Sequence, residues 1–265
     1  MITFEHLLIK LAALILIFAV GLSGGLIAFG AHKSDRAEVY FSLGSAFAGG
    51  IFLGAGLLHM LPDAIGALSG VFAGVEFPLA FLFAGVGFLI ILFIEKILFG
   101  DVHGLHDAAE ALTGKGAAVS AYALAVILSV HSILAGAALG TENTITGSIV
   151  IFIAIFAHKG AAGFALITDF QRGGIPRAEG MRVLVLFAAM TPLGILLGAG
   201  LDHMLEARSG RLIEGLFDSL AAGTFIYIST MEIIGEEFVG TARLAEKFCL
   251  LTAGLALMAV IALWL

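Results

Sequence analysis

The segment that decides the fold is ITGSIVIFIAIFAHKGAAGFALITDF, residues 145–170. It is predominantly apolar, yet an ionisable pair, His158-Lys159, lies in its middle. The run is too long for the alternating strands of about ten residues that build an outer-membrane barrel, and it matches the roughly 20 residues with which a helix crosses hydrocarbon. We therefore predict a membrane-spanning helix that carries two ionisable side chains inside the bilayer.

The composition extends this prediction to the whole chain of 265 residues. Hydrophobic residues make up 60% and charged residues 12%, with a mean hydropathy of +1.11, whereas soluble domains have about 45–50% apolar and 25% charged residues. Lipid is the solvent that accepts so much apolar surface. The net charge of −7 without a dense basic run argues against nucleic acid as a partner. The single cysteine, Cys249, excludes an internal disulfide and a thiolate metal cluster.

Breaks in the hydropathy predict an all-α bundle of eight transmembrane helices, which form one membrane domain over residues 1–265. The spans lie near residues 5–30, 38–66, 77–99, 117–140, 145–170, 180–202, 212–235 and 244–265. Alternate breaks differ in their lysine and arginine content. Nine of these residues lie in or beside the breaks after the first, third, fifth and seventh spans, against two, Arg208 and Arg211, on the other side. This bias predicts that both termini lie outside the cell.

Ionisable side chains within the spans are the best indicators of function, because each costs roughly 2.5–3.5 kcal/mol at bilayer depth. Four spans carry them: His59 and Asp63 in the second, His131 beside Ser132 in the fourth, His158 and Lys159 in the fifth, and Glu232 and Glu236 in the seventh. Imidazole and carboxylate groups are ligands for zinc, iron and manganese. Taken alone, each histidine is better explained as a packing residue that bonds a neighbouring helix. Several at similar depth favour a metal site.

Two further features of the sequence bear on metal binding. An ammonium at Lys159 needs a counter-charge inside the membrane or must lose its proton; Glu232 and Asp63 are the expected partners, and such a cation could occupy the place of a second metal ion. The polar break over residues 100–116 contains a set with spacings that suit a loose cytoplasmic metal site, although a solvated polar loop explains the same pattern. That set is Asp101, His103, His106, Asp107 and Glu110.

Four motifs, in order along the chain, resemble those of the ZIP family of divalent-metal transporters. The second span ends in His59-Met60-Leu61-Pro62-Asp63-Ala64, similar to the family's His-Leu-Leu-Pro-Glu-Ala. The fourth span has His131-Ser132 followed by Ala135-Gly136, similar to His-Ser-x-x-Glu-Gly. The fifth has Ala157-His158-Lys159-Gly160, and the seventh has Ala222-Gly223-Thr224 leading to Glu232. The resemblance covers almost the whole chain.

The resemblance implies transport of zinc, or of iron, manganese or cadmium, into the cytoplasm through a site between the fourth and fifth helices. It implies that His131 and His158 are ligands, that Ser132 lines the site and that Lys159 replaces a second metal. His59, Asp63 and Glu232 match polar positions along the pathway. The metal is then a substrate, with no organic cofactor and no enzymatic activity. We expect a multi-pass protein of the cell membrane, with the bacterial inner membrane favoured by the short loops, and a homodimer among the possible assemblies.

The sequence departs from the family pattern at three positions. Ala135 and Ala162 stand where the family has glutamates on the fourth and fifth helices, and Thr191 precedes Pro192 where many relatives have a carboxylate. Three outcomes stay open: a transporter that binds its metal weakly or prefers a softer one, a site rebuilt from Glu232, Glu236 or Asp63, or a ZIP-fold scaffold or metal sensor without transport. An intramembrane metalloenzyme has less support, because no His-Glu-x-x-His pair is present.

Overall fold

A computed structural model describes residues 4–31, 36–72, 74, 76–98, 115–202, 207–239 and 241–263. Those residues form no strand, and they contain eight helices that are long and apolar enough to cross a membrane. The prediction of an all-α bundle of eight spans is confirmed. The helices are α1 (Phe4–Ala31), α2 (Ala37–Val71), α3 (Leu79–Ile97), α4 (Lys115–Thr141), α5 (Ile145–Arg172), α6 (Arg177–Asp202), α7 (Ser209–Glu237) and α8 (Leu244–Ala262).

The ends of α5 show how local sequence sets a helix boundary. Its first turn is capped by Thr144, whose Oγ1 accepts a hydrogen bond from the amide of Gly147 at 3.0 Å. The Glu142 carboxylate in turn accepts the amide of Thr144 at 2.6 Å. At the other end Gly174 has a φ of +65°, a left-handed conformation that glycine adopts without strain. These signals fix where the helix carrying His158 begins and ends.

Three helices contain π-helical turns: α2 over Gly56–Met60, α3 over Ile94–Leu98 and α7 over Ile228–Ile234. In α2 the cause is visible in the sequence, because Pro62 has no amide proton and cannot continue the regular hydrogen-bond ladder. The turns of α2 and α7 contain His59 and Glu232. Widened turns of this kind occur frequently at functional sites.

The helices pack as two groups. In the first, α1, α4, α5 and α6 contact one another; in the second, α2 packs on α8 and α7, and α3 packs on α7. Glycine allows backbone contact inside each group. A Cβ on Gly24 of α1 would lie 1.9 Å from the Gly160 carbonyl oxygen of α5, and one on Gly50 of α2 would lie 1.9 Å from the Leu251 carbonyl oxygen of α8. The two groups meet chiefly where α7 packs on α4 and α2 packs on α5.

An ion-pair network ties the two groups together at one end of the bundle. Arg172, the last residue of α5, donates from Nε to Oε1 of Glu38 on α2 at 2.9 Å, and from Nη1 to Oε1 of Glu237 on α7 at 2.7 Å. Glu237 is buried, and its second carboxylate oxygen accepts from Ser42 at 2.5 Å and lies 3.4 Å from Lys247 of α8. One guanidinium of the first group is thus held by carboxylates on two helices of the second, α2 and α7.

We expect Arg172→Gln to lower the apparent Tm of the detergent-solubilised protein by about 5–10 °C, because the change leaves the Glu237 carboxylate buried with reduced compensation. Arg243→Gln is the matched control: Arg243 pairs with Glu246 on the surface, where ion pairs contribute little. The double variant Arg172→Gln/Glu237→Gln should be less destabilised than the sum of the single variants. Additive losses would show that the two residues do not act together.

Candidate metal site

His131 of α4 and His158 of α5 lie side by side in the interior of the bundle. Both are 2% exposed, and their ring centroids are 5.7 Å apart with the ring planes at 71°. The two helices bring together the pair on which the predicted site depends, and the imidazoles turn toward each other instead of toward lipid. Two nitrogen donors from adjacent helices can hold one divalent cation between them.

The environment of His131 defines which nitrogen is available. Its Nδ1 lies 2.9 Å from Oγ1 of Thr224 on α7, and that hydroxyl donates its own proton to the Ala221 carbonyl at 2.7 Å. The hydroxyl must therefore accept from Nδ1, which places the imidazole proton there and leaves a lone pair on Nε2. Nε2 is buried and has no hydrogen-bond partner among the described residues. A second group that orients a histidine in this way is typical of metal ligands.

Phe225 of α7 covers the histidine pair. Its ring stacks on the His131 ring at a centroid distance of 3.5 Å and meets the His158 ring edge-on at 4.8 Å. A second aromatic ring, Phe52 of α2, lies 4.9 Å from Phe225. The pair is therefore formed by one group of helices and closed by aromatic side chains of the other, and this arrangement excludes water from the imidazoles.

Lys159 corrects one prediction. Its Nζ donates to Oγ of Ser132 at 2.8 Å and to the Phe187 carbonyl at 3.3 Å, and it lies 3.6 Å from the centroid of the Phe187 ring. No carboxylate within the described ranges pairs with it, so the expected partnership with Glu232 or Asp63 is wrong. The reason is geometric: Lys159 points from α5 toward α4 and α6, while those carboxylates lie on helices of the other group. The aromatic face and two oxygens solvate the ammonium instead.

The positions that lack the family carboxylates are occupied by small buried side chains. Ala135 and Ala162 are 4% and 2% exposed. Thr191 is fully buried on α6, where its backbone carbonyl faces Gly136 of α4, and its hydroxyl has no partner among the described residues. No group of three or more His, Cys, Asp or Glu side chains in the described part of the chain could hold a metal ion. The pair therefore offers at most two imidazole ligands to a metal ion.

His59 and Asp63 lie on α2, and His59 is near enough to His158 to act on it electrostatically. His59 is buried, and its Nδ1 lies 2.8 Å from Oδ2 of the half-exposed Asp63. The two atoms are close enough for an ion pair, but the angles between them do not meet the criteria for a hydrogen bond. Asp63 also lines a cavity of about 580 Å³ that lies between α2, α7 and the connection from α4 to α5. The sequence reasoning missed the other carboxylates of this cavity, which are Glu142, Glu214 and Asp218.

Glu232 and Glu236 lie toward the opposite end of the bundle, beside the Arg172 network. There they line a pocket of about 10 Å³ together with Asp169, Arg172 and Glu237, and Glu236 also lines a neighbouring pocket of about 440 Å³. Glu95 of α3, whose Oε2 accepts from the Tyr227 hydroxyl at 2.5 Å, adds a carboxylate that sequence reasoning also missed. The predicted loop set of Asp101, His103, His106 and Asp107 lies outside the described residues.

Comparison with known proteins identifies the family to which these features belong. The family model described as "ZIP Zinc transporter" matches residues 7–115 and 103–262. The chain is 30% identical over 289 residues to human "Zinc transporter ZIP1", covering 94% of this chain and 89% of the relative. It is 29% identical to zebrafish "Zinc transporter ZIP1", with 87% and 88% covered, and 27% identical to human "Zinc transporter ZIP2", with 98% and 99% covered. With matches that extend over nearly its whole length, this chain belongs to the ZIP family.

Proposed function

We propose that the protein carries a divalent metal ion into the cytoplasm, and that His131 and His158 bind the ion midway. Zinc is the first candidate, with iron, manganese and cadmium as alternatives. The observation that supports this most is the lone pair of His131 Nε2, which is buried, oriented by Thr224 and without a partner among the described residues, next to a second imidazole. The printed names of the relatives give zinc as the substrate of those proteins.

The orientation of the bundle is inferred from charge, and the inward direction of transport is the one that the family resemblance implies. The end of the bundle with Arg172, Arg243 and Lys247 is the basic side and faces the cytoplasm, which places both termini outside. The ion then arrives through the cavity lined by Asp63, passes the histidine pair and leaves past Glu232 and Glu236. The carboxylates at both ends favour a cation over an anion throughout this path.

The histidine pair binds its ion weakly, and this suits transport. Both ligands are neutral imidazoles, and the Lys159 ammonium, beside His158 in the chain and bonded to Ser132, repels a cation. A site of this kind releases its ion readily, because the described residues offer no third His, Cys, Asp or Glu ligand to hold the ion. Ser132 then acts by holding Lys159, and Ala135 and Ala162 leave the space beside the pair uncharged.

The division into two helix groups supports alternating exposure. The histidines belong to the first group, while Thr224 and Phe225, which hold and cover them, belong to the second. A relative movement of the groups would therefore uncover the pair and remove the Thr224 hydrogen bond in one step. No chemical bond is made or broken, so we propose no enzymatic activity and no organic cofactor.

A second candidate is a ZIP-fold scaffold or metal sensor that does not transport. It is favoured by the lack of any three-ligand group among the described residues. Eight spans and the family establish a multi-pass membrane protein. The bacterial inner membrane and a homodimer stay predictions, and the relatives quoted above are animal proteins.

Uptake into proteoliposomes separates these candidates. We expect the purified protein to move Zn²⁺ into vesicles well above the rate of empty vesicles, and His131→Ala/His158→Ala to lower that rate at least about tenfold because both nitrogen ligands are lost. His6→Ala is the control, since His6 is a buried histidine on α1 that bonds Ser148 away from the pair. Wild-type rates equal to those of empty vesicles for zinc, iron, manganese and cadmium would reject transport.

Lys159→Met tests the repulsion by the ammonium. We expect it to strengthen Zn²⁺ binding by about tenfold, because one positive charge beside the histidines is removed while the length of the side chain is kept. The measurement is equilibrium binding of radioactive zinc to protein in nanodiscs. Lys10→Met is the control, because Lys10 is another buried lysine, whose Nζ donates to the Gly140 carbonyl of α4. Equal or weaker binding in Lys159→Met would contradict a repulsive role.

A further inference from the structure

Asp218 is a carboxylate that the proposed path through the histidines does not use. It lies on α7, it is only 8% exposed, and it lines the cavity of about 580 Å³ at the outer end of the bundle. No hydrogen bond or ion pair joins it to another described residue, and the groups that act on it electrostatically are the carboxylates of Asp63, Glu214 and Glu142. A buried acid with only like charges around it is costly for the fold.

The neighbours of Asp218 come from three parts of the chain. Glu214 lies one helical turn before it on α7, Asp63 comes from α2, and Glu142 comes from the connection between α4 and α5. Arg211 is the one basic residue among the described residues that line the cavity. Four carboxylates against one guanidinium leave the cavity strongly negative, and its low-dielectric walls concentrate that field.

The other carboxylates have partial compensation that Asp218 lacks. Glu142 accepts hydrogen bonds from the amide and the hydroxyl of Thr144 at 2.6 and 2.7 Å. Asp63 has His59 at 2.8 Å. Glu214 is half-buried and lies within hydrogen-bonding reach of Glu142. Local structure therefore explains the positions of Glu142 and Asp63, but it gives no reason for a carboxylate at position 218.

We propose that Asp218, with Glu214 and Asp63, forms an outer binding site for a hydrated divalent cation. The described residues offer no chelating group of three ligands here, so the ion keeps most of its water. The cavity is large enough for this, since a water molecule occupies about 30 Å³. The role of this site as a stage on the way to His131 and His158 depends on the proposed transport. Its binding of an ion does not depend on transport.

The chemistry of this site differs from that of the histidine pair. Carboxylates and water are hard oxygen ligands, which accept manganese, magnesium and calcium as well as zinc, whereas imidazole favours zinc and its transition-metal neighbours. The outer site therefore concentrates divalent cations with little discrimination. Selection among them falls to the buried imidazoles, where the ion must give up water.

The test uses Mn²⁺ and protein in nanodiscs of zwitterionic lipid, with His131→Ala/His158→Ala as the background so that the inner pair cannot contribute. Loss of the electron paramagnetic resonance signal of free Mn²⁺ measures binding. We expect the background protein to bind Mn²⁺, and Asp218→Asn to weaken its tightest binding by about tenfold, as expected for removal of one buried unit charge. Glu76→Gln, which removes an exposed carboxylate from the connection between α2 and α3, should leave binding unchanged.

A second measurement guards against loss of the fold. Without metal, Asp218→Asn should keep or raise the Tm, because a buried unpaired charge is removed, while the rise of the Tm on adding Mn²⁺ should shrink. If Asp218→Asn does not fold, Glu214→Gln must show the same weakening. Background protein without Mn²⁺ binding, or Asp218→Asn that binds like Glu76→Gln, overturns the proposal. Either result would concern the outer site alone. Transport is tested separately, by zinc uptake of the wild-type protein.

Discussion

The constraint on which this structure depends is that hydrocarbon offers no hydrogen bonds to a buried polar atom. Most interior polar groups here find a partner inside the protein. Lys159 contacts a hydroxyl, a carbonyl and an aromatic face, and Ser229 donates to the Gly49 carbonyl at 2.8 Å. The buried side-chain atoms without a hydrogen bond among the described residues are few. They belong to His59, His131, His158, Thr168 and Thr191. Three of these five are histidines of the predicted pathway; His59 has an ion-pair contact with Asp63, whereas His131 and His158 are the positions where a cation would supply the missing partner.

The sequence alone was sufficient to predict the eight spans, because the length and apolarity of a segment can be read directly from its residues. The first span has a hydropathy of 2.5 and needs no tertiary information to be recognised as membrane-spanning. The histidine pair could be predicted for a related reason: an imidazole inside such a span is conspicuous whatever its neighbours. That His131 and His158 face each other depended on the rotation of two helices, for which only the resemblance to a family gave an indication.

The errors and omissions concern distances between helices that are remote in the chain. Lys159 was assigned a carboxylate by charge alone, but its neighbours across the packed interface are Ser132 and Phe187. Asp218 was overlooked in the seventh span, whose hydropathy of 1.3 is the lowest of the eight and whose polar residues are therefore less conspicuous. Its significance comes from Asp63 and Glu142, which the fold brings to the same cavity. The spacing of these residues along the chain does not show that they lie close together in the fold.

The two ends of the bundle are built differently, and the difference has a mechanical consequence. At one end, four carboxylates line a cavity of about 580 Å³. At the basic end the space beside Glu232 is about 10 Å³, a pocket of about 440 Å³ lies beside Glu236, and Arg172 connects α5 directly to Glu38 and Glu237. Opening that end must lengthen these ion pairs, and Glu237 is too deeply buried for water to replace them at no cost. The free energy of this network therefore opposes separation of the two helix groups at the basic end.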